Sequence, residues 1–326
     1  MTPPVVSVIV LNYNGRRWLA GCLDALAAQV GVPAFEIVLV DNASTDGSAA
    51  FVRTEYRSVR LIESESNRGF AGGNNLGAQK AAGRFLAFLN NDTIAAQDWL
   101  SRLVSVLDER PDVGLATSKL VLMDDPSRLD SAGDGYLRAG GAYKRGHGRP
   151  AADHGVSREV FGACGAAFVV RRALFERLGG FDESFFMVYE DVDLSYRARL
   201  AGFRCWYAAD AVVRHAGSAT LGRASETAVF YGQRNLEWTW IKNTPRSLLW
   251  RSAPVHLLYS LSGLAHYARA GRLWPALRGK AAALRGLPAA LRSRRIVQAG
   301  LESADSIESQ MDRNWIAIKR SEKSAG

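Results

Sequence analysis

Val5-Val6-Ser7-Val8-Ile9-Val10-Leu11 decides the fold class. The stretch is β-branched and almost wholly apolar, as a strand buried on both faces of a parallel sheet must be. Asn12-Tyr13-Asn14-Gly15 ends it with turn chemistry. Residues 16–29 then carry Trp18, Leu19, Cys22, Leu23 and Leu26 at helical spacing. Phe35-Glu36-Ile37-Val38-Leu39-Val40 is a second buried strand, residues 48–56 a second amphipathic helix, and Val59-Arg60-Leu61-Ile62 a short third strand. This β-α-β-α-β run predicts a doubly wound α/β sheet with right-handed crossovers. Ligands of such sheets bind beyond the carboxyl ends of the strands, where Asn12 to Asn14 and Asp41 to Asp46 fall.

The next stretch, Asn67 to Gly77, is rich in glycine and asparagine and leads into a helix. It matches neither the dinucleotide nor the P-loop glycine pattern. Its glycines allow close backbone approach and its asparagines offer side-chain hydrogen bonds. Phe85-Leu86-Ala87-Phe88-Leu89 reads as a fourth strand running straight into Asn90-Asn91-Asp92, an acid well placed to hold a hard cation. A helix follows over 99–107 and a strand over 113–117. Residues 123–157 read as a long surface excursion with hairpin-like pieces and no assigned chemistry. Residues 161–170 return to buried-strand character, and 203–207 and 211–215 read as two more short strands.

Between them lies Phe185-Phe186-Met187-Val188-Tyr189-Glu190-Asp191-Val192-Asp193-Leu194, three carboxylates within four positions beside a run of aromatics. Charges next to that much apolar surface are costly unless paired, metal-bound or catalytic. If the chain is helical from Tyr189, Glu190 and Asp193 share a face and Asp191 points elsewhere. The plainer reading is a solvated helix start with acids favoured by the helix dipole.

A composition of 48% hydrophobic and 22% charged residues excludes disorder as the main state. Cys22, Cys164 and Cys205 form no C-x-x-C pair, which argues against a disulfide framework or a zinc site. Met1-Thr2-Pro3-Pro4 lacks the basic and apolar runs of a signal peptide. The net charge of +9 is local: between Trp238 and Leu301 stand eleven Lys and Arg and no acid, leaving 30 basic against 32 acidic residues elsewhere. Localised basicity points to an anionic surface. Ser252 to Ala268 is uncharged but short and polar for a spanning helix, so an interfacial amphipathic region fits better, with Trp240, Trp250, Tyr259, Tyr267 and Trp274 as candidate interface aromatics. The tail from Glu302 reads as frayed.

Asp41, Asp92, the Glu190-Asp191 pair and His215 thus collect where such a sheet binds ligands. Each has a plainer reading, as turn cap, helix cap or sheet-end histidine. Together they suit a nucleotide-diphosphate-sugar site, which needs a carboxylate and amides for the base, a metal for the diphosphate and a base for the nucleophile.

The chain resembles glycosyltransferase family 2, inverting enzymes of GT-A fold, and is most similar to its bacterial rhamnosyltransferase-like branch. The resemblance covers about residues 5–300. It rests on Val8 to Asn14, Val40 to Ser48, Asn67 to Asn74, Asn90-Asn91-Asp92, Gly179 to Glu183 and Glu190 to Leu194, in that order and spacing. The family's D-x-D is here Asn90-Asn91-Asp92, so one acid of the two is present. His215 follows Asp191 by 24 residues, as in members whose histidine completes the metal site. The processive signature Q-x-x-R-W is absent, Gln233 to Trp238 not fitting it, so one sugar per encounter is expected.

The resemblance implies a GT-A type doubly wound mixed sheet over residues 1–227, split near 118 into nucleotide-sugar and acceptor halves. A basic amphipathic helical membrane-associating region over 228–301 and a tail over 302–326 follow. It implies Asp191 as general base, with Glu190 orienting the acceptor or tuning Asp191. Asn12, Asn14, Asp41, Asn42, Ser44, Asn67, Gly69, Gly73, Asn91 and Asp92 would contact the nucleotide-sugar. Asp92 and His215 would hold magnesium or manganese. Arg197 and Arg234 are candidate diphosphate or acceptor contacts, Arg197 having the plainer reading of an i, i+4 pair with Asp193.

The implied reaction moves one sugar, rhamnose from dTDP-rhamnose or a UDP-linked sugar, to a hydroxyl of a lipid-linked or glycan acceptor in cell-surface polysaccharide synthesis. The expected location is cytoplasmic, peripheral on the inner membrane surface, with a homodimer an open option and no nucleic acid as partner. Two rivals stand beside it. A sugar-nucleotide nucleotidyltransferase would need a glycine-rich basic loop after the first strand. A nucleic-acid-binding protein is favoured only by residues 238–301.

Overall fold

The β-branched opening run forms the centre of a ten-stranded sheet. The computed structural model describes residues 4–32, 34–217, 225–299 and 305–325. β1 (Val6–Asn12), α1 (Arg16–Ala27), β2 (Phe35–Asp41), α2 (Ser48–Glu55), β3 (Arg60–Glu63), α3 (Gly69–Lys80) and β4 (Phe85–Asn90) alternate as the sequence predicts. β1 pairs in parallel with both β2 and β4, and β2 with β3. Next come β5 (Thr93–Ala95), α4 (Trp99–Glu109), β6 (Val113–Leu122), β7 (Leu129–Ser131), β8 (Asp134–Tyr136), β9 (Ala142–Lys144), β10 (Arg158–Val160) and β11 (Ala167–Arg171). α5 (Arg172–Arg177), α6 (Glu190–Leu200) and β12 (Arg204–His215) complete the sheet-bearing part. The strand order is β10-β12-β6-β11-β4-β1-β2-β3, with β11 antiparallel to β4 and β6, so the sheet is mixed.

Alternation along β1 sorts the core into two layers. Val8 and Val10 face Leu19, Leu23, Leu103 and Leu107 of α1 and α4. Ile9 faces the other way, with Phe88, Phe168, Phe181 and Leu194. Phe88 sits 5.0–5.2 Å from the rings of Phe168, Phe175 and Phe181, a cluster that pins the segment leading to α6. Burying each ring contributes roughly 1.5–3 kcal/mol.

α3 lies close on β1, and its glycines are the reason. A Cβ on Gly77 would come within 2.6 Å of the Ile9 side chain, and one on Gly73 would collide with Leu11. Gly69 has φ +69°, and a Cβ there would collide with the carbonyl of Phe186. The glycines at 69 and 73 let a helix approach a strand and a loop.

Three expectations change. The two strands expected over 203–215 are one, β12, with a register shift against β6 between Ala208 and Val212. The 123–157 excursion is not a surface decoration: β7 pairs with β6, and Leu129, Asp130, Ser131 and Asp134 are buried. The tail is docked where it is described. α11 (Asp305–Ser309) leads to Met311, Ile307 and Met311 pack on Tyr136, Phe161 and Tyr196, and Asp312 bridges to Leu137.

Beyond Ser225 the chain is helical: α7 (Glu226–Asn243), α8 (Arg246–Arg269), α9 (Leu273–Arg285), α10 (Leu287–Ala299) and, after α11, α12 (Trp315–Ala325). Among the described residues no helix is long and apolar enough to cross a membrane. Of the expected interface aromatics, Trp250 and Trp274 are 72% and 69% exposed. Trp240 instead stacks on His256 at 3.8 Å, and Tyr259 packs edge-on against Trp315 and close to Gly141, so both face inward.

Candidate active site

The carboxyl ends of β1, β2 and β4 lie side by side: Asn12 is in register with Asp41, and Leu11 with Asn90. Their polar residues form one network. Asn12 Nδ2 donates to Asp41 Oδ1 (3.0 Å) and Ser44 Oγ (3.1 Å), and Asn91 Nδ2 donates to Asn12 Oδ1 (2.6 Å). Asp41 Oδ2 accepts from the Ser44 amide. Asn14, with φ +50°, donates its amide to Ser44 Oγ and accepts from Thr45 N. Asn42 donates to Asn67 Oδ1 and the Gly69 carbonyl and accepts from Arg68 N. Seven of the ten expected nucleotide-side residues thus meet through side chains, and Gly69 joins through its carbonyl. Carboxylate and carbonyl oxygens carry two lone pairs each, so Asp41 keeps acceptor capacity for a ligand.

Asp92 occupies the turn between β4 and β5. β5 pairs with the end of β12, placing His215 opposite Thr93. His215 Nε2 therefore stands 3.4 Å from Asp92 Oδ1. This is the physical content of the 24-residue step: a helix and one long strand return the chain to the Asp92 turn. Two ligands of one divalent ion, each roughly 2.1 Å from it, lie about 3.0–3.4 Å apart, so the donor set fits a shared ion.

The other face of His215 is held by a residue that the sequence reading passed over. Asp130 Oδ2 lies 2.8 Å from His215 Nδ1 and 2.6 Å from Lys144 Nζ, and its Oδ1 lies 3.4 Å from His147 Nδ1. Burial pushes the Asp130 carboxyl up, but the bonds from His147 and His215 and the Lys144 charge outweigh it and hold it far below the usual range. Burial pushes His215 down, but Asp130 and Asp92 outweigh it, and its pKa is raised. A carboxylate behind a metal-binding histidine fixes ring orientation and tautomer.

The three acids of the first turn of α6 fall into three environments. Asp193 is fully buried and paired: Oδ2 with Arg197 Nε (2.7 Å), Oδ1 with Lys242 Nζ (2.6 Å) and Asn243 Nδ2 (2.8 Å). Glu190 is 6% exposed, and its Oε2 has no hydrogen-bond partner. Burial first, then the charge of Asp191, raises its pKa well above the ordinary value. Asp191 is half-buried; Oδ2 accepts from Gly165 N (2.7 Å) and Oδ1 from Val192 N (2.8 Å). Burial raises its pKa against those two bonds. A carboxylate oriented by backbone donors, yet more basic than a free one, suits proton abstraction.

Arg197 is not available to a ligand in the way expected. Its guanidinium binds Asp193 and the carbonyls of Leu178 (2.8 Å) and Gly180 (2.9 Å), which makes it a strut under the Gly179-Gly180 turn. Arg234 likewise turns toward the fold. Nη2 donates to the carbonyls of Ser184 and Phe185, Nε to Asn235 Oδ1, and its plane lies over Tyr231 and Trp238.

These contacts hold the most contorted backbone in the chain. Phe186, Val188 and Tyr189 have φ of 62°, 66° and 80°, and no glycine among them relieves the cost. Asn235, fully buried on α7, donates Nδ2 to the carbonyls of Phe185 (3.0 Å), Met187 (2.9 Å) and Val188 (2.7 Å). The Phe186 carbonyl accepts from the amides of Phe70 and Ala71 at the start of α3. The loop thus delivers Glu190 and Asp191 at a fixed angle. No local pattern around Asn235 announces this; it sits among apolar and basic residues of a helix 45 positions downstream of Glu190.

Residues 7–179 match the family model described as Glycosyl transferase family 2. The chain belongs to glycosyl transferase family 2. Within the family, it is 31% identical over 225 residues to the O-antigen biosynthesis protein RfbC of Myxococcus xanthus, 67% of this chain but only 18% of that protein. It is 28% identical over 275 residues to the N-acetylglucosaminyl-diphospho-decaprenol L-rhamnosyltransferase of Mycobacterium tuberculosis, covering 72% of this chain and 86% of the relative. Among solved structures, the mannosyltransferase PcManGT of Pyrobaculum calidifontis, in complex with GDP-Man and Mn2+, aligns with a TM-score of 0.57 at 24% identity, over 93% of this chain and 86% of that one. The GT-A type architecture of this family-2 chain is shared with that structure.

Proposed function

We propose that this family-2 chain is an inverting, metal-dependent glycosyltransferase that moves one sugar from a nucleoside-diphosphate sugar to a glycan hydroxyl. The observation that carries the reading is Asp191. It is half-buried, held by the amides of Gly165 and Val192, and raised in basicity by burial. In the reaction, Asp191 takes the proton of the acceptor hydroxyl while that oxygen bonds to the anomeric carbon. The bond from that carbon to the diphosphate oxygen breaks on the opposite face, so configuration inverts. Asp41, Asn12 and Ser44 receive the nucleoside, and the Asn42–Asn67 pair shapes the adjoining wall. Asp92 and His215 would hold a divalent ion, which when bound offsets the charge of the departing diphosphate. Asp130 keeps the His215 ring turned so that Nε2 faces Asp92.

Rhamnose from dTDP-rhamnose is the proposed donor and a lipid-linked glycan the proposed acceptor. Support comes from the relative that acts as an L-rhamnosyltransferase on a diphospho-decaprenol-linked sugar. The exposed Trp250, Leu257, Leu258, Leu261 and Trp274 on helices bearing many arginines and no acid suit the cytoplasmic face of an anionic bilayer. The test is a transfer assay on purified protein with dTDP-rhamnose, UDP-sugars and a polyprenyl-diphosphate-linked acceptor. Wild type is expected to form one glycosidic bond of inverted configuration, lost in Asp191→Asn and on chelation. Retained configuration, or undiminished turnover by Asp191→Asn, would refute the mechanism.

A further inference from the structure

We propose a second cation site, formed by Asp134, Cys164 and Asp191, that takes a thiophilic divalent ion such as Zn2+ and stops transfer by occupying the base. The inhibition rests on Asp191 being that base; the binding itself does not.

One loop assembles the three residues. Gly162 exchanges both backbone hydrogen bonds with Asp134 (2.9 and 3.0 Å), and Gly165 donates its amide to Asp191 Oδ2. Cys164 stands between those two glycines, with its amide on Thr117 Oγ1. One ligand atom from each of Asp134, Cys164 and Asp191 lies within 4.8 Å of the other two. Ligands of one tetrahedral zinc are roughly 3.3–3.8 Å apart, so side-chain adjustments of about 1 Å bring all three onto one ion.

A second observation points to a ligand there. Asp134 is 7% exposed, yet its Oδ1 has no hydrogen-bond partner. A buried acceptor left unpaired is costly, and a cation satisfies it. The Lys144 charge acts on Asp134, Cys164 and Asp191, but its ammonium is bonded to Asp130, at 2.6 Å, and leaves Asp134 Oδ1 without a hydrogen bond. Burial holds the Cys164 thiol well above its ordinary pKa, and burial with the Asp191 charge does the same to the Asp134 carboxyl, so binding must displace the protons of both to solvent, leaving thiolate and two carboxylates around the ion. That donor set selects zinc over magnesium or manganese, which the carboxylate oxygen of Asp92 suits. The sulfur therefore separates the two sites chemically.

The test uses the full chain. Added Co2+, standing in for zinc, is expected to give a thiolate charge-transfer absorption that disappears in Cys164→Ser. In the transfer assay at saturating Mg2+, Zn2+ is expected to inhibit wild type. Loss of an outer partner alone costs about 10–100-fold in metal affinity, so loss of the sulfur ligand is expected to weaken inhibition at least about tenfold while the Mg2+-supported rate without zinc is kept. Cys164→Ala serves if the serine variant does not fold, and Asp134→Asn should also lose the Co2+ band. Equal inhibition of wild type and both cysteine variants, or a wild-type spectrum without the thiolate band, overturns the proposal. The Co2+ spectrum is read without turnover, so it decides the site even if the transferase reading fails.

Discussion

Asn235→Ala tests the idea that α7 holds the catalytic loop in a strained form. One amide nitrogen carries two hydrogens and serves three carbonyls, those of Phe185, Met187 and Val188. Two bonds at a time are therefore lost. Each contributes about 1 kcal/mol net, and stranding a buried carbonyl adds about 1–3 kcal/mol, for a combined loss of roughly 3–5 kcal/mol. The left-handed residues Phe186, Val188 and Tyr189 cost about 1–3 kcal/mol each, so the freed loop relaxes away from the geometry that aims Asp191. If the whole loss falls on that geometry, transfer slows by roughly 160- to 5,000-fold. The assay pairs single-turnover transfer with nucleotide affinity, which should move far less because Asn235 does not touch Asp41 or its partners. Thermal unfolding, read in parallel, separates global loss from local. Transfer within threefold of wild type in a folded protein would refute the clamp.

Three other outcomes follow from the buried charges. The proposed base works deprotonated, and burial raises Asp191 above the ordinary carboxylate value, so kcat/KM should fall with decreasing pH through a midpoint above that value; a midpoint at or below it contradicts the environment described. Glu190 has a folded-state pKa raised above its unfolded 4.5. The native state therefore binds the extra proton, and stability is lost as pH rises past the unfolded value. Glu190→Gln should then melt higher than wild type at neutral pH, with the gap closing below pH 4.5, and equal melting at pH 7 would count against an unpaired buried carboxylate. Lys242→Met strands the carboxylates of Asp193 and Asp182, both 2.6 Å from Nζ. Breaking a buried pair costs about 3–5 kcal/mol, to be read as a lowered denaturation midpoint; an unchanged midpoint would mean that water already reaches the pair.

The parts of this design that were legible in the sequence are those with a local period or a short arc of chain. β1, β2 and β4 are continuous apolar runs, and their polar terminators mark the sheet edge directly. The Asp191–His215 step is readable because α6 and β12 are each regular. Asp130, Asp134 and Lys144 were not legible. They sit on strands of three residues, too short for alternation or hydropathy to separate them from a surface loop. Gly69 and Gly73 were assigned to ligand contact because a glycine looks the same whether a phosphate or a helix must come close. The Arg197–Asp193 pair was legible from its i, i+4 spacing, but the bracing of loop carbonyls by Arg197 and Arg234 was not, since every residue has a backbone carbonyl.

The loop clamp also bears on how this chain can be divided. Asn235 and Lys242 belong to the basic helical segment, yet one braces the residues before Glu190 and the other neutralises Asp193. A cut near residue 227, natural by composition, would remove both. The catalytic sheet and the basic helices are therefore not exchangeable modules. A protein lineage could not exchange its basic helices for another segment without rebuilding the support of the Glu190-Asp191 turn. The proposed surface attachment would be separable from chemistry by changing outward side chains such as Trp250 and Trp274, which leaves α7 intact.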